Sequence, residues 1–313
     1  MRRLVGLSIV FVARAALAQN DDAEDVIVRG TQAQGFESRA KVDDAPREVT
    51  DVASLLELLL GVHVRRLGAD DGFATLSIRG SASNEVAFYL AGVPLPAASD
   101  PTVDLSTLPL WPGSQARVYR TFTPASLGPG SLGGTLSIEP PSPTGPARTE
   151  LWMAGGSFGG LRMRAADGSD LGGARVATAV SASRSDGDFS FYDPTRKRFA
   201  PRRNGDYAQA SGLASLVVPM HPGTMRATVL LQAREQGLPG SVWLATPFQR
   251  LRTDRELATV EIATPAAGGV VGAQIWGVRQ GSEYRDAPST ALDSSLETTT
   301  IVSAGGSASY RRR

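Results

Sequence analysis

From residue 150 onward the chain keeps returning to one pattern. Segments of about ten residues alternate weakly between apolar and small or polar side chains, and polar turns separate them. A period of two marks extended chain, because successive side chains on a strand point to opposite faces. Arg175-Val176-Ala177-Thr178-Ala179-Val180-Ser181 sets Val and Thr on one face and Arg, Ala and Ser on the other. The run from Ala227 to Arg234 puts Ala227, Val229, Leu231 and Ala233 together, and residues 270–279 alternate in the same way. About seven or eight such segments fit between Glu150 and Arg313. Two architectures share this period: the wall of a transmembrane β-barrel and a soluble β-sandwich.

The stretch Pro140-Pro141-Ser142-Pro143 precedes this texture. Its prolines remove backbone donors and fix φ, so regular structure stops there and a domain boundary is expected. At the other end, Met1-Arg2-Arg3 is a short basic start, Leu4 to Val12 is mostly apolar, and Ala16-Leu17-Ala18 is a small-x-small cleavage site. Residues 1–18 thus read as a secretory signal, with Gln19 as the new N-terminus. Arg14 interrupts that pattern, and a short buried helix is the alternative. No later stretch has the roughly 18 apolar residues of a membrane helix. An exported chain of this kind is periplasmic, secreted or an outer-membrane barrel.

Charge and composition exclude several functions. Lys+Arg is 32 against Asp+Glu 31, which offers no electrostatic attraction to nucleic acid. There is no cysteine, so disulfides, thiolate metal sites and cysteine nucleophiles are excluded. Two histidines make a histidine-based metal or catalytic cluster a poor expectation. His63, between Val62 and Val64, reads as structural. Ser, Asp and His show no spacing of a catalytic triad. The glycines of residues 128–134 are followed by no Lys-Ser or Lys-Thr, so they read as a tight turn and not a phosphate loop. No enzyme, no cofactor and no metal site are expected.

Residues 55–139 carry more specific information. Thr50 or Asp51 caps a helix, and Val52, Leu55, Leu56 and Leu59 fall on one apolar stripe. Gly61 ends it where a left-handed residue is accommodated. Strands are expected at 62–67, 74–79, 86–90, 116–120 and 135–139, and residues 32–48 read as polar linker. Four blocks follow in order: LLELLLGVHVRRLG, ATLSIRGSASNEVAFYLAGVPL, DLSTLPLWPGSQARVYR and PASLGPGSLGGTLSIEP. Their succession resembles the plug domain of TonB-dependent outer-membrane receptors. The resemblance implies an α+β plug domain followed by an incomplete antiparallel transmembrane β-barrel, a β-meander. It divides the chain into a signal peptide (1–18), a TonB box and linker (19–48), a plug (49–141) and the N-terminal part of a barrel (147–313). The barrel alternative gains over the sandwich once this plug stands before it.

The resemblance also implies a function. Such a receptor takes up a scarce ligand, an iron–siderophore or cobalamin type of molecule and in that case a metal chelate, across the outer membrane of a Gram-negative cell. The periplasmic protein TonB supplies the energy. The TonB box would be Asp25, Val26, Ile27, Val28 and Arg29, an extended segment able to add to a partner's sheet edge; the alternative is a first plug strand. Few residues precede it, which leaves no room for a signalling or carboxypeptidase-regulatory-like domain. Arg79 and Arg120 occupy the positions at which family arginines pair with glutamates of the barrel wall, with Thr121 where a glycine is usual. A buried guanidinium needs such a partner; solvent-facing arginines are the alternative. Ala91 replaces the family's turn aspartate. Tyr192, Arg196, Arg198, Arg202 and Arg203 fall in a basic, aromatic loop expected outside the cell, facing an anionic ligand or lipopolysaccharide phosphates, or simply solvated.

Length sets the last expectation. The family's barrel has about 22 strands, which needs on the order of 400 residues. Residues 147–313 supply far fewer, and the end at Ser309-Tyr310-Arg311-Arg312-Arg313 lacks a terminal aromatic. The chain is therefore expected to be a fragment, a truncated frame or half of a split receptor, marginal by itself because open sheet edges aggregate. The competing functions are a non-transporting or degenerate product, a plug-bearing interaction protein, and a secreted β-rich binding protein.

Overall fold

The computed structural model describes residues 36–67, 72–95, 102–120, 122–125, 127–128, 130–143, 147–194, 196–241, 245–286 and 295–312. The signal segment and the five residues of the expected TonB box lie outside them.

The first part mixes one helix with short strands. In chain order they are β1 (Glu37–Lys41), α1 (Val52–Glu57), β2 (Val62–Leu67), β3 (Phe73–Ile78), β4 (Val86–Leu90), β5 (Val93–Pro94), β6 (Gln115–Tyr119) and β7 (Gly134–Glu139). Asp51 caps α1: its carboxylate accepts from the Ser54 amide at 2.6 Å, and the Ser54 hydroxyl accepts in return from the Asp51 amide at 3.1 Å. Two otherwise orphaned donors are satisfied this way. Val52, Leu55 and Leu56 are buried on its inner face, and Gly61 follows with φ +73. A five-stranded sheet runs β1-β6-β7-β4-β5, with β4 and β7 parallel, while β2 and β3 form a separate antiparallel pair. Trp111, Leu76, Ile78, Leu90, Leu105 and Leu136 fill the space between helix and strands.

One expected linker proves otherwise. Residues 37–41 form β1, which pairs antiparallel with β6 from Glu37↔Tyr119 to Lys41↔Gln115. The segment Glu37-Ser38-Arg39-Ala40-Lys41 has little apolar content, so no local pattern betrays it; an edge position needs only backbone partners on one side.

The second part is a single sheet of eight antiparallel strands: β8 (Arg148–Gly155), β9 (Leu161–Leu171), β10 (Ala174–Ser185), β13 (Tyr207–Met220), β14 (Gly223–Gly237), β15 (Arg250–Ala266), β16 (Gly269–Asp286) and β17 (Ser295–Arg312). Each pairs with its neighbour in sequence, and β8 and β17 are the two open edges. A small hairpin, β11 (Ser190–Asp193) with β12 (Arg198–Pro201), stands between β10 and β13. Among the described residues these eight strands form one continuous meander and are not divided into two facing halves, which removes the sandwich. Short turns at 172–173, 221–222 and 267–268 occupy one end; the described parts of the connections 156–160, 186–206 and 238–249 occupy the other. Short turns on the periplasmic side and longer loops outside are the habit of outer-membrane barrels. The strands β13 to β17 have 14 to 18 residues, more than the roughly 9–11 that a strand needs to cross a bilayer. Among the described residues no helix is long and apolar enough to cross a membrane, a statement that does not bear on strands.

The alternation seen in the sequence becomes two faces. Leu151, Met153, Val229, Leu231, Ile262 and Ile275 are exposed on the outer one. On the inner one, Ala166, Ala179, Leu213, Leu230, Leu257 and Val278 stand opposite one another across six neighbouring strands. This apolar row packs into the same cluster as Leu55, Leu76 and Trp111. A barrel lumen is ordinarily polar; an apolar row inside it marks the level at which the helix-and-sheet body is received.

Candidate functional site

Moving one inner position toward the long loops, the row becomes Arg164, Ser181, Ser211, Gln232, Arg255 and Gln280. The next is Arg162, Ser183, Gln209, Arg234, Thr253 and Ser282. The wall thus passes from apolar to strongly hydrogen-bonding within two residues along each strand, because strand neighbours i and i+2 share a face.

These polar rows grip the inner body through its backbone. Arg164 donates to the carbonyls of Val49 and Thr50, just ahead of α1, and its guanidinium lies 4.2 Å from the centre of the Trp152 ring. Arg234 donates to the Ser106 carbonyl at 3.2 Å and to Gln209 Oε1 at 2.8 Å. Gln232 donates to the Thr107 carbonyl. Residues 105–107 form a single 3-10 turn capped by Asp104, whose carbonyls would otherwise be orphaned against the wall. Nearer the short turns, Gln274 donates to the Ala91 carbonyl at 3.3 Å. Carbonyl contacts read backbone position and not side-chain identity.

Above the 3-10 turn lies a cleft of about 320 Å³. The inner body contributes Phe73, Leu95, Val103 and Asp104; the wall contributes Gln232, Arg234, Leu251, Arg255 and Gln280. It sits toward the long-loop end. Asn204, in the left-handed conformation (φ +59), braces the loops beside it: its amide donates to the carbonyls of Leu238 (3.2 Å), Thr246 (2.8 Å) and Gln249 (2.7 Å). Arg250 adds a two-oxygen contact to Asp206, both at 2.9 Å.

Arg79 and Arg120 come together. A β-carbon placed on Gly61 would lie 3.6 Å from Arg120 Nε and 4.0 Å from Arg79 Cγ, so the two side chains flank the same glycine. Arg79 has φ +54, a conformation that costs a residue with a side chain. Arg120 donates to the Leu60 carbonyl. Burial first, and then the like charge of Arg79, hold the Arg120 guanidinium below the usual arginine value. No carboxylate lies within ion-pair distance of Arg120 among the described residues. On α1, burial raises the Asp51 carboxyl, but the Arg66 contact at 2.7 Å and the Ser54 bonds outweigh it and leave Asp51 below its ordinary value.

Tyr192, Arg196 and Arg198 lie on or within the β11–β12 hairpin, and Arg202 and Arg203 just after it. Tyr192 stacks edge-on against Phe199 with ring centres 5.7 Å apart, Arg196 pairs with the buried Asp193, and Arg202 donates to the Gly240 carbonyl. None of the five lines the cleft. His63 is exposed on β2, and the described residues contain no group of carboxylates and histidines placed to hold a metal ion. The wall side chains that do face the cleft were not singled out from the sequence. The signal was present in Ala227 to Arg234, where the face opposite Ala, Val and Leu reads Thr228, Leu230, Gln232, Arg234.

An α+β body received by a strand-built wall, with short turns at one end and long loops at the other, defines a plugged outer-membrane receptor fold. Residues 38–135 match the TonB-dependent Receptor Plug Domain. Among solved structures the chain is similar to the ferric citrate transporter FecA in the unliganded form (18% identity, TM-score 0.66, 88% of this chain and 44% of that one). It is similar to the copper transporter OprC (15%, TM-score 0.71, 93% and 46%). The ferripyoverdine receptor of the Pseudomonas aeruginosa outer membrane also matches (13%, TM-score 0.60, 88% and 38%). The chain therefore spans less than half the length of each of these receptors. No curated protein sequence matches it.

Proposed function

We propose that this chain serves TonB-dependent uptake of a scarce small ligand across the outer membrane, by binding and gating without bond chemistry. The ligand enters from the long-loop end and rests in the cleft above residues 103–107. TonB adds a strand to Asp25, Val26, Ile27, Val28 and Arg29 and pulls on the plug. The observation that carries this proposal is the matched inner face: an apolar row at plug height, then Arg164, Gln232 and Arg234 holding plug carbonyls. Hydrogen bonds of that kind can be broken and remade by a pulled segment. Arg79 and Arg120, gathered around Gly61, supply paired positive charge for wall carboxylates outside β8 to β17. Transport also requires further strands between β17 and β8, since lipid offers no hydrogen-bond partner to an open edge.

The test places a cysteine at Val26 and measures disulfide cross-linking to a cysteine-bearing TonB in cells. Cross-linking that increases when an imported ligand is supplied supports the proposal. A chain found in the outer membrane that never cross-links to TonB defeats it and leaves the non-transporting alternative.

A further inference from the structure

The cleft contains a buried charge with no carboxylate in ion-pair contact among the described residues. Arg255 is 6% exposed and lines the cavity. Among the described residues its donors reach only neutral carboxamides: Gln232 Oε1 at 3.2 Å and Gln280 Oε1 at 3.4 Å, the latter approached by both Nε and Nη2. These are long for hydrogen bonds, whose usual N···O separation is about 2.9 Å. Asp104 shares the cleft, but it lies beyond ion-pair distance. Its oxygens are taken by the amides of Ala74 and Ser106, at 3.0 and 2.9 Å, and by the Ser106 hydroxyl at 2.8 Å.

The neighbouring arginines are provided for differently. Arg279 and Arg250, both more exposed, each contact two carboxylates: Asp254 and Glu256, and Asp206 and Glu235. Arg164 and Arg234 are as buried as Arg255 but hold plug carbonyls. Arg255 makes no hydrogen bond to the plug. A stability role would place acids where desolvation is greatest, since an uncompensated buried charge costs several kcal/mol. Here the acids stand with the exposed arginines, and the buried one faces open volume.

We infer that Arg255 is the anion-receiving point of the cleft, which takes a ligand, or one arm of a larger ligand, ending in an oxyanion such as a carboxylate or phosphate. This rests on the cleft being the receptor's ligand site and names the chemistry it selects. A planar guanidinium matches a two-oxygen anion. Gln232 holds the Thr107 carbonyl with its amide while its oxygen contacts Arg255. An anion drawn to Arg255 therefore competes for its donors with the oxygen of the side chain that holds the plug turn. At about 320 Å³ the cavity is at the small end of ligand sites.

The test uses the full chain extracted from membranes in detergent, with calorimetric titration of succinate, inorganic phosphate and the neutral succinamide. Wild type is expected to bind at least one oxyanion at least tenfold more tightly than succinamide, and the preferred oxyanion identifies the arm. Arg255→Gln should lose that preference, Arg255→Lys should keep part of it, and Arg279→Gln should leave it unchanged. Equal binding of charged and neutral probes by wild type overturns the inference, as does an undiminished preference in Arg255→Gln. If Arg255→Gln fails to fold, the wild-type comparison and Arg255→Lys still decide. TonB cross-linking at Val26 reads the transport proposal separately.

Discussion

Leu230 and Leu231 are adjacent, chemically identical and assigned opposite surroundings. Leu230 is 0% exposed, in the inner row between Leu213 and Leu257; Leu231 is 52% exposed on the outer face. Replacing Leu230 with alanine removes apolar atoms from a packed cluster and leaves a cavity. The cavity cannot close by sliding β14, because a one-residue shift would turn every side chain of that strand to the other face. The full cost of a buried Leu→Ala change, about 2–5 kcal/mol, is therefore expected for plug–wall docking. Leu231→Ala only exchanges contacts with lipid or detergent, and should cost less than about 0.5 kcal/mol. Denaturant titration of the detergent-solubilised chain measures both, followed by the fluorescence of buried Trp111 with Trp152, Trp243 and Trp276 replaced by phenylalanine. If Leu231→Ala is as damaging as Leu230→Ala, the inward assignment of β14 is wrong, and with it the inner row.

Three further outcomes are expected. Because Asp51 titrates below its ordinary value, its contribution is present above the usual carboxylate range and disappears as pH falls through the depressed value. Asp51→Asn should cost about 1 kcal/mol at neutral pH, and the gap to wild type should close in acid unfolding curves; a pH-independent gap would rule this out. Asn204→Ala removes three carbonyl contacts at a left-handed position, so limited proteolysis should cut residues 238–249 several-fold faster, and unchanged cleavage would mean the brace is idle. Changing both Arg79 and Arg120 to alanine in a receptor with a closed wall should release the plug at lower denaturant. A plug that stays docked would end the ion-pair proposal.

The plug was legible in the sequence where local rules are strong. The capped stripe Val52, Leu55, Leu56 formed α1, and strands appeared at 62–67 and 86–90 with the expected bounds. Alternation likewise separated Val229 and Leu231 from the inner face. β1 was missed because an edge strand borrows its order from β6 and has no apolar period of its own. Arg255 was missed because an arginine in an alternating strand reads as ordinary lumen polarity until the height of the plug is known.

Sequence alone determined the elements and the two faces of each strand, since propensity, capping and period act over a few residues. Tertiary structure alone decided which inner residues share a row, which arginines hold carbonyls and that the cleft's buried Arg255 meets carboxamides and not carboxylates. Those facts depend on register between strands and on distances spanning more than a hundred residues of chain, as from Arg164 to Thr50 or Arg234 to Ser106. A local pattern carries no record of them.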